Sequence, residues 1–270
     1  MLKQMKMARE NKYNAALAKG QGLLEETGVL LGFWQPGVNS QELASQAIQQ
    51  GVLGKATAKR ARDIIAAQFA RRFLTDKGRP AKQIKLLIQN GISVNTLKQV
   101  LFVYAARANE ILRGFVCDVY WSKYQAGALA LSNNDALHFI ETAYHVGKIK
   151  EKWSDSMTQR IASGLTGTLA EFGLLESGRK VERKFVSFNL QKLTCLYLAY
   201  DIHFSGYGDD GLLEHPDWML FGLEPADVFQ EVQRFSDGFF IPQYSGELLR
   251  ISWQYETMEE ALHAIAAAEL

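Results

Sequence analysis

A chain of 270 residues that is 47% apolar and 22% charged, with 30 Lys/Arg against 29 Asp/Glu, has the make-up of a soluble globular protein with one large domain or two small ones. It holds no apolar run near the ~18 residues of a membrane span. The basic opening, MLKQMKMARENKYN, lacks the apolar core of a secretory signal and reads as a flexible basic arm. Cys117 and Cys195 stand in apolar surroundings without CxxC spacing, which excludes a zinc or dithiol motif and fits buried thiols in a reducing cytoplasm.

Five prolines and long apolar periods predict a mainly α fold, a helical bundle with a few short strands. Residues 13–33 read as a helix interrupted at Gly20 and Gly22, then a second short helix with Leu23, Leu24, Val29, Leu30 and Leu31 on its core face. Trp34-Gln35-Pro36-Gly37 is a loop. Asn39 or Ser40 opens a helix over 40–50, with Glu42 placed for a capping box and Gly51 at the end. After the turn VLGKA, Thr57 caps a longer helix whose Ala61, Ile64, Ile65, Phe69 and Phe73 recur at three- and four-residue steps. The pair over 40–73 predicts a helix-turn-helix-like unit.

The second of these helices lies in the most charged part of the chain. Residues 54–85 hold ten Lys/Arg against Asp63 and Asp76, a net +8 in a protein of net +1. Lys55, Lys59, Arg60 and Arg62 crowd the start of the helix beside Thr57, where main-chain N–H groups also face an anion. Arg71 and Arg72 follow about three turns later, and Lys77, Arg79 and Lys82 lie in and after the next loop. Blocks of like charge serve solubility or a partner of opposite sign, so these residues read either as a solvated face or as contacts to nucleic-acid phosphate.

Residues 82–94 predict a further helix, and 95–121 a nearly all-apolar, buried one, kinked at Gly114 and with Arg107 and Glu110 spaced to pair. After a small-residue loop over 124–130, Ser132 caps a helix through Tyr144, with Asp135 in its first turn. The polar GKIKEK over 147–152 predicts a domain boundary, giving a helical N-terminal domain, 1–147, and a second domain, 148–270. Ser154 opens a helix carrying Ile161, Leu165, Leu169 and Phe172. Residues 179–190 then read as a strand or hairpin with Arg179, Lys180, Arg183 and Lys184 at its start. Helix, helix and basic strand predict a winged-helix-like unit whose wing touches phosphate.

A buried helix over 191–204 precedes a change of sign. From residue 205 onward thirteen acids face two bases, Arg234 and Arg250, a net of −11. That tail turns a nucleic acid to the opposite side, or offers a surface to a basic partner. Pro225 starts a helix over 226–236, residues 239–253 read as a hairpin turning at Ser245-Gly246, and Thr257 with Glu260 opens a last helix over 257–268.

No catalytic constellation emerges. His203, His215, Asp209, Asp210 and Asp217 lack the spacing that sets metal ligands on one face. Asp209-Asp210-Gly211 reads as a turn, and His215-Pro216-Asp217-Trp218 as a helix start. Gly20-Gln21-Gly22 lacks the third glycine and preceding strand of a dinucleotide loop, and GxSxG is absent. The expectation is a non-catalytic protein without a cofactor.

Separated blocks along the chain resemble the BrxA family of bacterial BREX phage-defence systems. They are Lys19-Gly20 with Leu23-Leu24-Glu25-Glu26-Thr27, Gly54-Lys55-Ala56 with the basic helix after it, and residues 104–107 with Leu112-Arg113-Gly114-Phe115. Further on come Trp153-Ser154 with Arg160, Glu171-Phe172-Gly173-Leu174-Leu175, His215-Pro216-Asp217-Trp218 with Leu220-Phe221, and Ile251-Ser252-Trp253. The resemblance implies a helical cytoplasmic protein without catalytic activity that binds double-stranded DNA beside a methyltransferase and ATPases; it assigns no individual DNA-contacting residue. The alternatives are a protein–protein adaptor for other BREX components and an RNA-binding helical protein.

Overall fold

The computed structural model describes residues 13–19, 22–178, 180–245 and 248–268. Most of the basic N-terminal arm, the interruption at Gly20, Arg179 and the hairpin residue Gly246 lie outside the described residues. A 3-10 turn (Ala15–Lys19) leads to α1 (Leu24–Phe33) and α2 (Ser40–Gln49). Helix α3 has three joined segments, Ala58–Ile64, a π-helical turn Ile65–Phe69, and Ala70–Phe73. After a 3-10 turn (Asp76–Gly78) come α4 (Arg79–Gln89) and α5 (Val94–Arg107). Helix α6 is again segmented, Glu110–Phe115, π-helical Val116–Tyr120, and Trp121–Gln125. Then follow β1 (Ala130–Ser132), α7 (Asn133–His145), α8 (Asp155–Glu171), β2 (Glu182–Lys184), α9 (Lys192–Phe204) and α10 (Asp209–Leu213). A 3-10 turn (Trp218–Phe221), α11 (Pro225–Phe235), β3 (Phe240–Ser245), β4 (Leu248–Trp253) and α12 (Met258–Ala267) complete the chain. Helices take 63% of it and the strands form two small antiparallel sheets, so the fold is mainly α.

Local chemistry sets the helix starts. The side chains of Asn39, Thr57, Ser93, Ser132, Ser154 and Thr257 each accept a first-turn N–H, and Glu42, Asp135 and Glu260 return the bond in three capping boxes. The π turn of α3 also has a cause in the sequence. Ala61, Ile65, Phe69 and Phe73 are spaced four apart, and at about 100° per residue such a stripe drifts about 120° over three steps. One wider π turn takes up most of that drift. All four stay buried, as do Ile64, Gln68 and Arg72 beside them.

The core is one cluster of buried apolar side chains running from Tyr13 to Ala266, and it crosses position 147 without interruption. Tyr13 N–H donates to the Lys148 carbonyl at 2.8 Å, and α7 packs along α8 on either side of the GKIKEK segment. Helix α9 lies at the centre. Every residue from Leu193 to Ile202 is buried, enclosed by α5, α10, α11 and α12.

Several elements differ from their sequence reading. The helix over 79–89 starts three residues before the expected 82, because Gly78, in left-handed conformation at φ 77°, ends the loop and Pro80 sits in the first helical turn. The stretch 95–121 is two helices. The break falls at Ala108-Asn109, where Asn109 caps α6, and Gly114 sits mid-helix. Gly114 serves close approach instead of a kink, since a Cβ there would lie 2.0 Å from Tyr13 Oη. Strand β2 forms no hairpin with the residues after it. It pairs with β1, upstream of α7, with Leu131 opposite Arg183. Phe185 and Phe188 are drawn instead into an aromatic cluster with Tyr120, Trp121, Tyr124 and Phe221. Asp209 and Asp210 begin α10 and do not form a free turn. Their carboxylates accept the N–H groups of Ile251 and Leu249, both at 3.0 Å, and so satisfy the outer edge of β4.

Candidate nucleic-acid interface

The start of α3 presents its cations outward. Thr57 Oγ1 accepts the Arg60 N–H at 3.2 Å and fixes the first turn. Lys55, Lys59, Arg60 and Arg62 are exposed, as is Thr57. Further along, Arg71, Lys77 and Lys82 are exposed too. The spacing from Lys59 to Arg71 corresponds to roughly 18 Å along a helix.

Two of the expected contacts face inward, and both depart from the sequence reading for the same reason. Arg72 is 4% exposed; its guanidinium donates to the Gly22 carbonyl at 2.6 Å and to Gln68 Oε1 at 2.9 Å. Burial pushes its pKa down to about 10, leaving it cationic at neutral pH but committed to the joint between α3 and the segment before α1. Arg183 is 9% exposed, and its Nη1 donates to the carbonyls of Glu176, at 3.1 Å, and Gly178. A guanidinium is long enough to cross an apolar face and end on main-chain carbonyls, and sequence alone does not separate that use from a phosphate contact.

The remaining cations are mixed. Arg79 pairs with Asp76 at 3.0 Å and donates to Ser205 Oγ at 3.1 Å. Lys180 pairs with Glu176 at 2.6 Å, and Lys184 is exposed on β2. Lys85, in the same charged block, donates to the carbonyls of Gly32 and Trp34 at the end of α1. The loop before α4 holds Asp76 and Lys77 at φ 47° and 54°, left-handed values that cost non-glycine residues roughly 1–2 kcal/mol each. Gly78 follows in the same region, its Cα against Trp34, where a Cβ would lie 2.8 Å from Cζ2. Sequence reasoning missed this loop conformation, which Asp adopts more readily than Lys.

A family model for BrxA matches residues 11–200. The chain belongs to the BrxA family. Membership makes it a BREX-associated protein. A crystal structure of an uncharacterized protein from Magnetospirillum magneticum shares the fold, with a TM-score of 0.57 and 17% identity over 71% of this chain and 94% of that one. None of the curated proteins compared with it matches the chain.

One block through which the chain resembles BrxA, Gly54-Lys55-Ala56, leads into the exposed cations of α3; several others meet in the interior. Arg107 Nε donates to Asp217 Oδ2 at 2.7 Å, and its Nη1 lies 2.7 Å from Asp201 Oδ2. Arg113 Nη2 reaches the other Asp217 oxygen. The expected Arg107–Glu110 pair gives way to these buried carboxylates. Burial alone would raise the Asp217 pKa, but the two guanidiniums hold it below the usual carboxylate range. Beside them Tyr104 and Tyr197 share a 2.6 Å hydroxyl contact, and Tyr197 donates to Gln83 at 2.9 Å. Another BrxA block supplies Glu171, whose carboxylate accepts the Leu24 N–H at 2.7 Å; burial raises its pKa. These residues tie α1, α5, α6, α8 and α9 together and are structural.

The thiol of Cys117, half-buried, is pushed up to about 11 by burial, and that of Cys195 further still. Among the described residues no group of three His, Cys, Asp or Glu is placed to hold a metal ion, and no helix is long and apolar enough to cross a membrane.

Proposed function

We propose that this BrxA-family protein is a non-catalytic, cytoplasmic, double-stranded DNA-binding accessory of a BREX system. It grips the duplex mainly through phosphates and with little sequence preference. Lys55, Lys59, Arg60 and Arg62 at the capped start of α3 carry the main contact, with Arg71, Lys77 and Lys82 extending it and Lys180 and Lys184 supplying a second one. The observation that supports this reading is the outward presentation of the α3 cations, while three carboxylates of the acidic tail, Asp209, Asp210 and Asp217, are turned into internal bonds. Cations exposed at the surface can replace counterions on a polyanion.

The helix pair α2–α3 is the helix-turn-helix-like candidate for docking, with its first turn against the backbone. The test is titration of a fluorescent duplex at low salt, with single strands and structured RNA as competitors. The expected result is micromolar binding that duplexes of unrelated sequence compete equally. Reversal of Lys59, Arg60 and Arg62 to Glu is expected to abolish it. Equal binding by the reversed protein, or preferential capture of RNA, would contradict the proposal.

A further inference from the structure

Between α7, α8 and the loop entering β2 lies a cavity of about 700 Å³, a volume suited to a small polar ligand and far too small for a duplex. One wall is neutral and hydrogen-bonding. Thr166 Oγ1 donates to Asn133 Oδ1 at 2.7 Å, and Asn133 Nδ2 donates to Ser163 Oγ at 3.4 Å. That chain fixes the Asn133 amide and leaves the exposed Ser163 hydroxyl with a proton to donate. The segment entering β2, whose Val181 carbonyl accepts the Asn133 N–H at 3.0 Å, brings Lys180 and Arg183 to the lining. Glu176 tethers Lys180, and the carbonyls of Glu176 and Gly178 pin Arg183. Arg183 Nε is buried with no protein acceptor. Val181 and Ala170 add apolar surface. Glu171 closes one end, and its acid there favours an anion at the Lys180 end.

We propose that this cavity binds a nucleoside phosphate. The phosphate would lie against Lys180 and Arg183, the sugar and base edge against Asn133, Ser163 and Thr166, and a base face on Val181 and Ala170. A fixed amide and two hydroxyls sharing one cavity with two cations suit a ligand with a neutral, hydrogen-bonding half and an anionic half, and this pairing separates it from a simple anion site.

The experiment is calorimetric titration of the full chain with AMP, dAMP, adenosine and sodium phosphate. At least one nucleotide is expected to saturate, with adenosine and inorganic phosphate each at least about tenfold weaker, because each satisfies one wall only. Ser163→Phe, at the exposed mouth, is expected to weaken nucleotide binding at least about tenfold with an unchanged melting temperature, and Thr166→Val, which removes the bond to Asn133, to weaken it as much with a melting temperature lower by about 2–4 °C. Neither residue belongs to the proposed duplex contacts, so duplex binding should survive both changes. Nucleotide binding without duplex binding upholds the cavity and removes the duplex reading. The proposal is overturned if no nucleotide saturates in the millimolar range, if phosphate alone binds as tightly as the nucleotides, or if both variants bind like the parent.

Discussion

At the scale of single residues, burial decides what each cation does. Arg72 and Arg71 are neighbours in sequence, yet one ends on main-chain carbonyl and amide oxygen and the other in solvent. Arg72→Ala leaves the Gly22 carbonyl unpaired and is expected to cost about 3 kcal/mol of stability. Urea denaturation measures that, while duplex affinity per folded molecule stays at the parent value. Lys77 makes the opposite case. Its left-handed backbone suits glycine, so Lys77→Gly is expected to stabilise by about 1 kcal/mol in the same assay.

Two titrating groups, buried Asp217 and partly buried His215, give the pH dependence its sign. Asp217 is depressed in the folded state, so its contribution is present above the ordinary value of about 3.9 and is lost as pH falls through the lower folded value. Asp217→Asn should therefore cost most at neutral pH, about 3–5 kcal/mol for a broken buried pair, and the gap to the parent should close below about pH 4. His215 is lowered by burial against a smaller opposing effect of Asp217, so below about pH 6.5 the unfolded chain takes the proton first and stability falls. Denaturation midpoints at pH 7.5 and 5.5 should show that fall, and His215→Asn should flatten it.

At the scale of elements, the features legible in the sequence were those with local causes. Caps and capping boxes at Asn39, Ser132 and Thr257 join residues three apart, and a reader of the chain sees both partners at once. The Arg107–Asp217 pair spans 110 positions, and only the local Glu110 offered itself as a partner. The π turn of α3 was half visible: the four-residue spacing of Ala61, Ile65, Phe69 and Phe73 contains it, but reading the stripe as an ordinary amphipathic helix hides the drift. Deleting Ala67 should remove the extra residue and rotate the segment after it by about 100°. Phe73 and Arg72 would leave their sites, and the protein should lose several kcal/mol or fail to fold, whereas Ala67→Ser, at a half-buried position of unchanged register, should keep near-parental stability. The basic strand misled for a related reason. Alternation over 179–190 predicted pairing but not the partner, and aromatic packing took Phe185 and Phe188 elsewhere.

At the scale of the whole molecule, the interior does not divide where the polar linker suggested, because one apolar cluster runs through both sides of it. The BrxA blocks that hold Arg107, Arg113, Glu171 and Asp217 build this interior, and the cations that define the proposed interface sit on its outside. The fold and the proposed function thus rest on largely separate residues, which makes the surface open to substitution without loss of structure. The central claim is that the exposed start of α3 grips duplex phosphates. It is tested most directly by the dependence of duplex affinity on salt, compared between the parent and the triple variant Lys59→Ala, Arg60→Ala, Arg62→Ala. The account predicts a linear fall of log affinity with log salt whose slope is smaller by about 3 in the variant. An equal slope in the two proteins would contradict it.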